Sequence, residues 1–309
     1  MSNQQIEKKP TKRQHWLPRS SYLQNFTVDG KVKTYWLGNN GRAKFIQTAE
    51  QKDIAPINVA VKNNLYETPL LAQIEGDYGK VLDNKIKKSK RLTRKDHEKV
   101  ALYISTLESR TIKQQSHLNN FLNQLNETGR AISLGYNAPD AADRWSKEIE
   151  MMEKMFFAES ILVSLDVNKW QPLDFCFLRP SDTVDIEFIT SDHPVTITDF
   201  TKGNSPLGLN HWHKTAECVV PLTPKIALFG NACGITGYKE IDYDFVREIN
   251  NRILRRADKM IISASPIPEY EEKAIVERAP QSLLLNFLRL PNGQIDKIIK
   301  KQDKQEQHK

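Results

Sequence analysis

"AECVVPLTPKIALFGN", residues 216–231, is the stretch on which the fold turns. It holds two β-like runs, 216–222 and 225–231, with turn residues between them. Working outward, three more runs of the same kind precede it: "LDFCFLR" (173–179), "VDIEFIT" (184–190) and "PVTITDF" (194–200). After it the pattern predicts a helix at about 242–257, a strand "KMIISA" (259–264) and a terminal helix. The second half of the chain therefore reads as a meander of short strands with flanking helices.

Upstream the texture differs. From Thr93 to Asn126, apolar residues recur at three- and four-residue steps (Val100, Ile104, Leu107, Leu118, Phe121, Leu122, Leu125), which predicts one long helix. Thr93 with Asp96 fits its N-terminal cap, and Gly129 a stop. A second long helix is predicted over 139–165, with Pro139 in its first turn. Joined by "NETGRAISLGYNAP", the two form an expected antiparallel pair. Residues 69–82 also read as helical. Nearer the start, "KVKTYWL" (31–37) and "RAKFIQT" (42–48) flank "GNNG", a hairpin signal because Asn and Gly tolerate positive φ. Strands segregated from helices give an α+β class: an N-terminal β-hairpin, a long antiparallel helix pair, and a C-terminal, mostly antiparallel sheet with flanking helices. Residues 12–295 read as one domain between a disordered basic leader (1–11) and a disordered basic tail (296–309).

Composition narrows the function classes. No apolar window is long enough to cross a membrane, and the N-terminal residues lack the apolar segment of a secretory signal. Cys176, Cys218 and Cys233 form neither a disulfide framework nor a zinc pattern, so a reducing cytoplasm is the default compartment. The net charge of +7 is concentrated. Residues 1–19 carry +4, 84–95 ("NKIKKSKRLTRK") carry +7 and 297–309 carry +3, so everything else is net negative. These three segments, read as mobile, are candidate contacts for a nucleic acid or nucleotide, set against a merely solubilising role.

Several stretches carry candidate chemistry. In "QHWLPRSSYL" (14–23), Pro18 holds the preceding residues extended. Trp16, Leu17, Tyr22, Leu23 and Phe26 are the expected anchors. That leaves His15 to move a proton and Arg19 to clamp phosphate or carboxylate oxygens with its planar fork. In "ITSDHPV" (189–195), Ser191, Asp192 and His193 cluster at a strand end. Asp192 suits a general base or cation ligand and Ser191 a phosphate contact, or both merely bond the turn's backbone. Arg110 sits on the buried flank of its helix and needs a partner, Glu67, Glu75 or a ligand anion. "HWH" (211–213) with Cys218 or His193 matches no standard zinc spacing. Phosphate-cradling loops of the Rossmann or P-loop kind are missing, as is a nucleophile elbow.

Six stretches in order then carry a resemblance: "QHWLPRSSYLQNF" (14–26), "NNLYE" (63–67), "ISTLESR" (104–110), "ITSDHPV", "VVPLTPKIALF" (219–229) and "INNRILRRADKMIIS" (249–263). Over residues 12–265 the chain resembles the bacterial family catalogued as domain of unknown function 4238. That family opens with His-x-x-Pro-Arg-x-Tyr-Leu-x-x-Phe and carries a Thr-Ser-Asp-x-Pro-Val turn. This sequence departs from it by an extra serine (Ser20-Ser21) and by His193 where Asn is frequent. The resemblance implies a shared fold and one grouping of polar positions: His15, Arg19, Glu67, Arg110, Ser191 and Asp192.

Two functions fit that grouping. One is a hydrolase-like enzyme acting on nucleic acid or a nucleotide. Here His15, Asp192 and Glu67 are catalytic, Arg19, Arg110 and Ser191 bind substrate, and Mg²⁺ is a candidate cofactor on the carboxylates. Orphan bacterial proteins of this kind are associated with toxin and phage-defence roles, an association and not a consequence of these residues. The other is a non-catalytic protein that binds a ligand or partner, its polar cluster a buried network. A hydrolase or transferase with Ser191 as nucleophile is the weaker third, because triad members come from separate segments.

Overall fold

The structure, a computed structural model, describes residues 17–18, 20–39, 44–47, 69–165, 170, 173–199, 216–267 and 274–275. The leader, the tail, the 211–213 histidine pair and the predicted terminal helix lie outside the described residues.

The decisive stretch forms β6 (Ala216–Thr223) and β7 (Ile226–Asn231), paired antiparallel. Every residue of both strands is buried, Glu217 included. A run buried on both faces must be covered on both. Cys218, Val220, Leu222 and Leu228 pack into the main core with Tyr78, Val100 and Ile104. On the opposite face Val219, Ala227 and Phe229 pack against Val246 and Ile249. Each such Leu, Ile or Phe, fully buried, contributes about 1.5–3 kcal/mol.

The larger sheet runs β5-β6-β7-β3-β8, where β3 is Asp174–Pro180, β5 is Thr196–Asp199 and β8 is Gly237–Ile241. It is antiparallel except for the parallel β3–β8 pair. A second sheet runs β10-β2-β1-β9-β4. It contains the N-terminal hairpin, β1 (Lys33–Asn39) and β2 (Lys44–Gln47), with β4 (Thr190–Ser191), β9 (Met260–Ser263) and β10 (Ala274–Ile275). The fold is α+β, but the hairpin is not a separate N-terminal unit. β1 pairs with β9, more than two hundred residues away, so the strands make two sheets in place of one C-terminal sheet.

The strands differ from the sequence reading for local reasons. Of the predicted strand 184–190 only Thr190 enters a ladder. The amide of Phe188 donates to Pro224 O, and Ile189 is held by the Asn250 side chain, which also donates to Glu187 O. After β9, Ala274–Ile275 adds a short strand to β2. Strand β8, not expected from its polar sequence, is an edge strand with three of five residues exposed.

The helices are α1 (Pro69–Val81), α2 (Arg94–Ser109), α3 (Ile112–Gly135), α4 (Pro139–Ser164) and α5 (Tyr243–Arg256). The helix predicted over 93–126 is therefore two. Thr93 and Asp96 cap α2 reciprocally, as read from sequence. At the other end Arg110 leaves the helical region and Thr111 is extended, its hydroxyl accepting from the Gln114 amide at 3.1 Å. Gly129 stops nothing. Helix α3 continues to Gly135, and the Trp145 indole occupies the space a Cβ at Gly129 would need. The antiparallel pair is α3 with α4, joined by Tyr136–Ala138 with Asn137 at φ 52°. No helix among the described residues is long and apolar enough to cross a membrane.

The basic stretch 84–95 is not a loose loop. Helix α1 runs on into a π-turn, Leu82–Ile86. Arg179 Nη2 donates to the carbonyls of Ile86 and Lys87 at 2.8 Å each, and the Tyr238 hydroxyl to that of Lys90 at 2.7 Å. The segment is stitched to β3 and β8 from beneath.

Candidate functional site

Of the six grouped positions, His15, Arg19 and Glu67 lie outside the described residues. Arg110, Ser191 and Asp192 are described, and the hook at residues 17–26 connects their surroundings. Pro18 O accepts the amides of Tyr22 and Leu23, turning the chain into a short 3₁₀ turn, Leu23–Phe26. Of the expected anchors, Leu17, Tyr22, Leu23 and Phe26 are buried and Trp16 lies outside the described residues. The Tyr22 hydroxyl lies 2.7 Å from both Thr190 Oγ1 and Pro221 O. It donates to the carbonyl, which pins the hook beside Ser191. Burial pushes the Tyr22 phenol above its ordinary value, with the Thr190 bond opposing.

The residue before Tyr22 reaches the other way. Ser21 Oγ donates to Glu75 Oε2 at 3.1 Å and accepts from the Tyr103 hydroxyl at 3.1 Å. Arg110 Nη1 donates to Glu75 Oε1 at 3.1 Å. Glu75 is thus the partner Arg110 requires, and its carboxylate is shared between guanidinium and hydroxyl. Part of the extra-serine departure from the family pattern is a member of this network. Tyr103 stacks on Tyr78, ring centroids 3.7 Å apart, and burial raises both phenols. Arg110 is only 3% exposed, and the break after α2 brings it to the Glu75 side of α1.

The Ser191–His193 bend has its own partners. Ser191 Oγ accepts from the His193 amide at 3.1 Å, the local turn bonding that its residue type favours. Asp192 does something the sequence conceals. Its two oxygens accept from the amides of Asp258 (2.9 Å) and Lys259 (2.7 Å), 66 and 67 residues on. They anchor the turn between α5 and β9. Burial raises its carboxyl above the ordinary value, and the backbone donors oppose that. His193, also buried, accepts from Arg256 Nε at Nδ1, 3.2 Å away, which assigns its proton to Nε2. Burial lowers the Arg256 guanidinium below its ordinary value, and the charge of Glu108, near the end of α2, opposes that.

The hook thus brings the Arg110 neighbourhood and the Ser191 bend together through adjacent residues. Each described candidate is nevertheless engaged within the protein. Among the described residues, no three of His, Cys, Asp and Glu are placed to hold a metal.

Sequence reasoning missed two features. Arg252 of α5 is buried between Glu217 of β6 (2.9 Å) and Glu248 (3.3 Å). The available signal was Glu217, a charge inside a run otherwise apolar. The second is a polar cleft of ≈ 860 Å³ between the hook, the π-turn, the end of β3 and the β6–β7 turn. Arg110, Ser191 and Asp192 are not among its walls. The cleft is assembled from short pieces distant in sequence, so no local pattern announces it.

A family model described as protein of unknown function, DUF4238, matches residues 13–266. The chain belongs to the DUF4238 family. The match takes in the described part of the hook, both described sheets up to β9 and the five described helices. No curated protein and no solved structure matches this DUF4238 chain.

Proposed function

We propose that this protein binds a phosphate-bearing polyanion, nucleic acid in the first instance, without chemistry at the Arg110–Ser191–Asp192 cluster. One observation carries the reading: the basic segment is held in place by its own carbonyls. Lys85 turns in to Asp96, while Lys87, Lys88, Lys90, Arg91, Arg94 and Lys95 are exposed on backbone fixed by Arg179 and Tyr238. A cation set ordered before contact loses little entropy on binding. The buried Arg110–Glu75–Ser21 and Asp192 groups then hold the scaffold. Fluorescence anisotropy with labelled single- and double-stranded oligonucleotides tests this. With about four phosphates engaged on duplex, affinity falls about 10²-fold between 50 and 200 mM salt. The triple variant Lys88→Glu, Lys90→Glu, Arg91→Glu abolishes binding; unchanged binding overturns the proposal.

The hydrolase reading is supported by a different observation, the meeting of the Arg110 and Ser191 surroundings at the hook. In it Arg19 and Arg110 hold phosphate oxygens, His15 moves the proton, Ser191 contacts substrate, and Asp192 with Glu67 orients the base or holds Mg²⁺. Arg110 must then exchange Glu75 for substrate, and Asp192 must release backbone amides. Nuclease and nucleotide hydrolysis assays with and without Mg²⁺ test it. Turnover that survives His15→Ala, Arg110→Ala and Asp192→Ala alike removes this mechanism.

A further inference from the structure

We infer that the ≈ 860 Å³ cleft is a binding site for a small phosphate ester with a polar, hydrogen-bonding body, a nucleotide or a sugar phosphate. The inference deepens the polyanion reading by giving the protein a pocket for one unit of such a ligand, and rests on it only for the choice of phosphate.

The walls decide the ligand class. The walls carry the hook residues Ser20, Gln24 and Asn25 together with three cations, Lys87, Arg179 and Lys225. Among the described residues, apolar lining is confined to Pro180 and Ile226 and no aromatic ring lines the cleft, so these walls favour a polar ligand over an apolar or stacking one. The cations are held loosely. Lys87 Nζ is shared between Asp83 (2.8 Å) and Asn25 (3.1 Å), and Lys225 lies 3.5 Å from Glu187. Exposed pairs of this kind cost little to exchange, so a dianionic phosphate can take over both ammonium groups. Arg179 is different. Two carbonyl bonds and the Tyr238 ring, 5.7 Å away, fix it as a standing positive charge on the wall. The remaining lining is Asp83, already paired with Lys87, and Asp182, Glu240 and Thr223; with the Gln24 amide it accepts and donates hydrogen bonds. That set suits ribose or hexose hydroxyls and base amino groups. A bare anion would leave it unused and would meet the acids directly. The volume lies within the range of ordinary ligand pockets.

Isothermal titration of the full chain with the four ribonucleoside monophosphates, glucose 6-phosphate and inorganic phosphate tests this. The expected result is saturable binding of at least one ester, tighter than inorganic phosphate. Lys225→Glu weakens that binding about tenfold, the effect of reversing one loosely paired charge. Gln24→Ala, at an exposed side chain, weakens the ester and leaves inorganic phosphate unchanged. Which ester saturates names the source. The inference is overturned if no ester saturates, if inorganic phosphate binds as tightly as any ester, or if both variants bind like wild type. The triple variant Lys88→Glu, Lys90→Glu, Arg91→Glu separates the two readings. It abolishes oligonucleotide binding where the segment is the polymer contact and keeps ester binding within twofold where the cleft is the ester site.

Discussion

Asp96 and Asp192 are both buried carboxylates that accept backbone amides, and their acidities move in opposite directions. Asp96 lies at the start of α2, bonded by the Thr93 amide and hydroxyl and by Lys85 Nζ. Burial alone would raise its carboxyl, but the lysine and the threonine outweigh that and lower it to about 2. Asp192 is bonded by the backbone amides of Asp258 and Lys259, with the Asp258 carboxylate also acting on it, and its carboxyl is raised. At Asp192 the backbone donors do not outweigh the burial, whereas at Asp96 a lysine's full charge adds to the threonine hydrogen bonds and together they do. One aspartate therefore stabilises the fold as an anion, while the other holds a turn despite its charge.

The largest test extends the comparison to an interior cation. Arg252→Met leaves Glu217 and Glu248 facing each other without their shared counter-charge, and it should cost about 3–5 kcal/mol in urea denaturation. A cost below about 1 kcal/mol would mean that buried charge is tolerated here without a partner, and the contrast between the aspartates would lose its basis.

Next comes Asp192→Ala, which strands two amide donors at the α5–β9 turn and should cost about 2–4 kcal/mol. The milder Asp192→Asn reads the charge. A raised carboxyl contributes stability in full below the unfolded value and loses it as pH rises through the folded value. The deficit of Asp192→Asn relative to wild type should therefore shrink as pH rises from about 4 toward neutrality.

Asp96→Asn should cost about 2 kcal/mol at pH 7, with the opposite slope. Its carboxyl is depressed, so its contribution is complete above the ordinary value of 3.8 and is lost as pH falls through about 2. Stability curves for the two Asn variants that ran parallel with pH would break the comparison outright.

The smallest effect belongs to the surface. Replacing Lys88, Lys90 and Arg91 with alanine should leave the melting curve within about 0.5 kcal/mol of wild type, because their side chains are exposed and the segment's anchors are backbone carbonyls. Replacing Arg179, which makes two of those anchors, should loosen the segment and increase amide hydrogen exchange over residues 86–90.

What could be read from sequence follows the distance between partners. The Thr93–Asp96 cap lies within one turn and was legible. The Asp192 partners are 66 and 67 residues away, and from sequence the same residue type reads as a candidate base or cation ligand. Arg110 is intermediate. Its place on a buried flank predicted a partner, with Glu75 one of three alternatives, but the helix break that delivers it was hidden because the apolar steps continue across Arg110 and Thr111. The hook's anchors were visible as a cluster of apolar and aromatic residues around a proline. Their target, Thr190 and Pro221, was not.

The sequence by itself determined the α+β class, the β6–β7 hairpin, α4, α5 and the family, since period, capping and turn chemistry act within a few residues. Only the tertiary structure decided that the first hairpin joins the last strands, that the basic segment is pinned by Arg179 and Tyr238, and that Asp192 holds a turn. Those outcomes depend on which distant amide or carboxylate fills a hydrogen bond or balances a charge once water is excluded, and one-dimensional spacing carries no record of that choice.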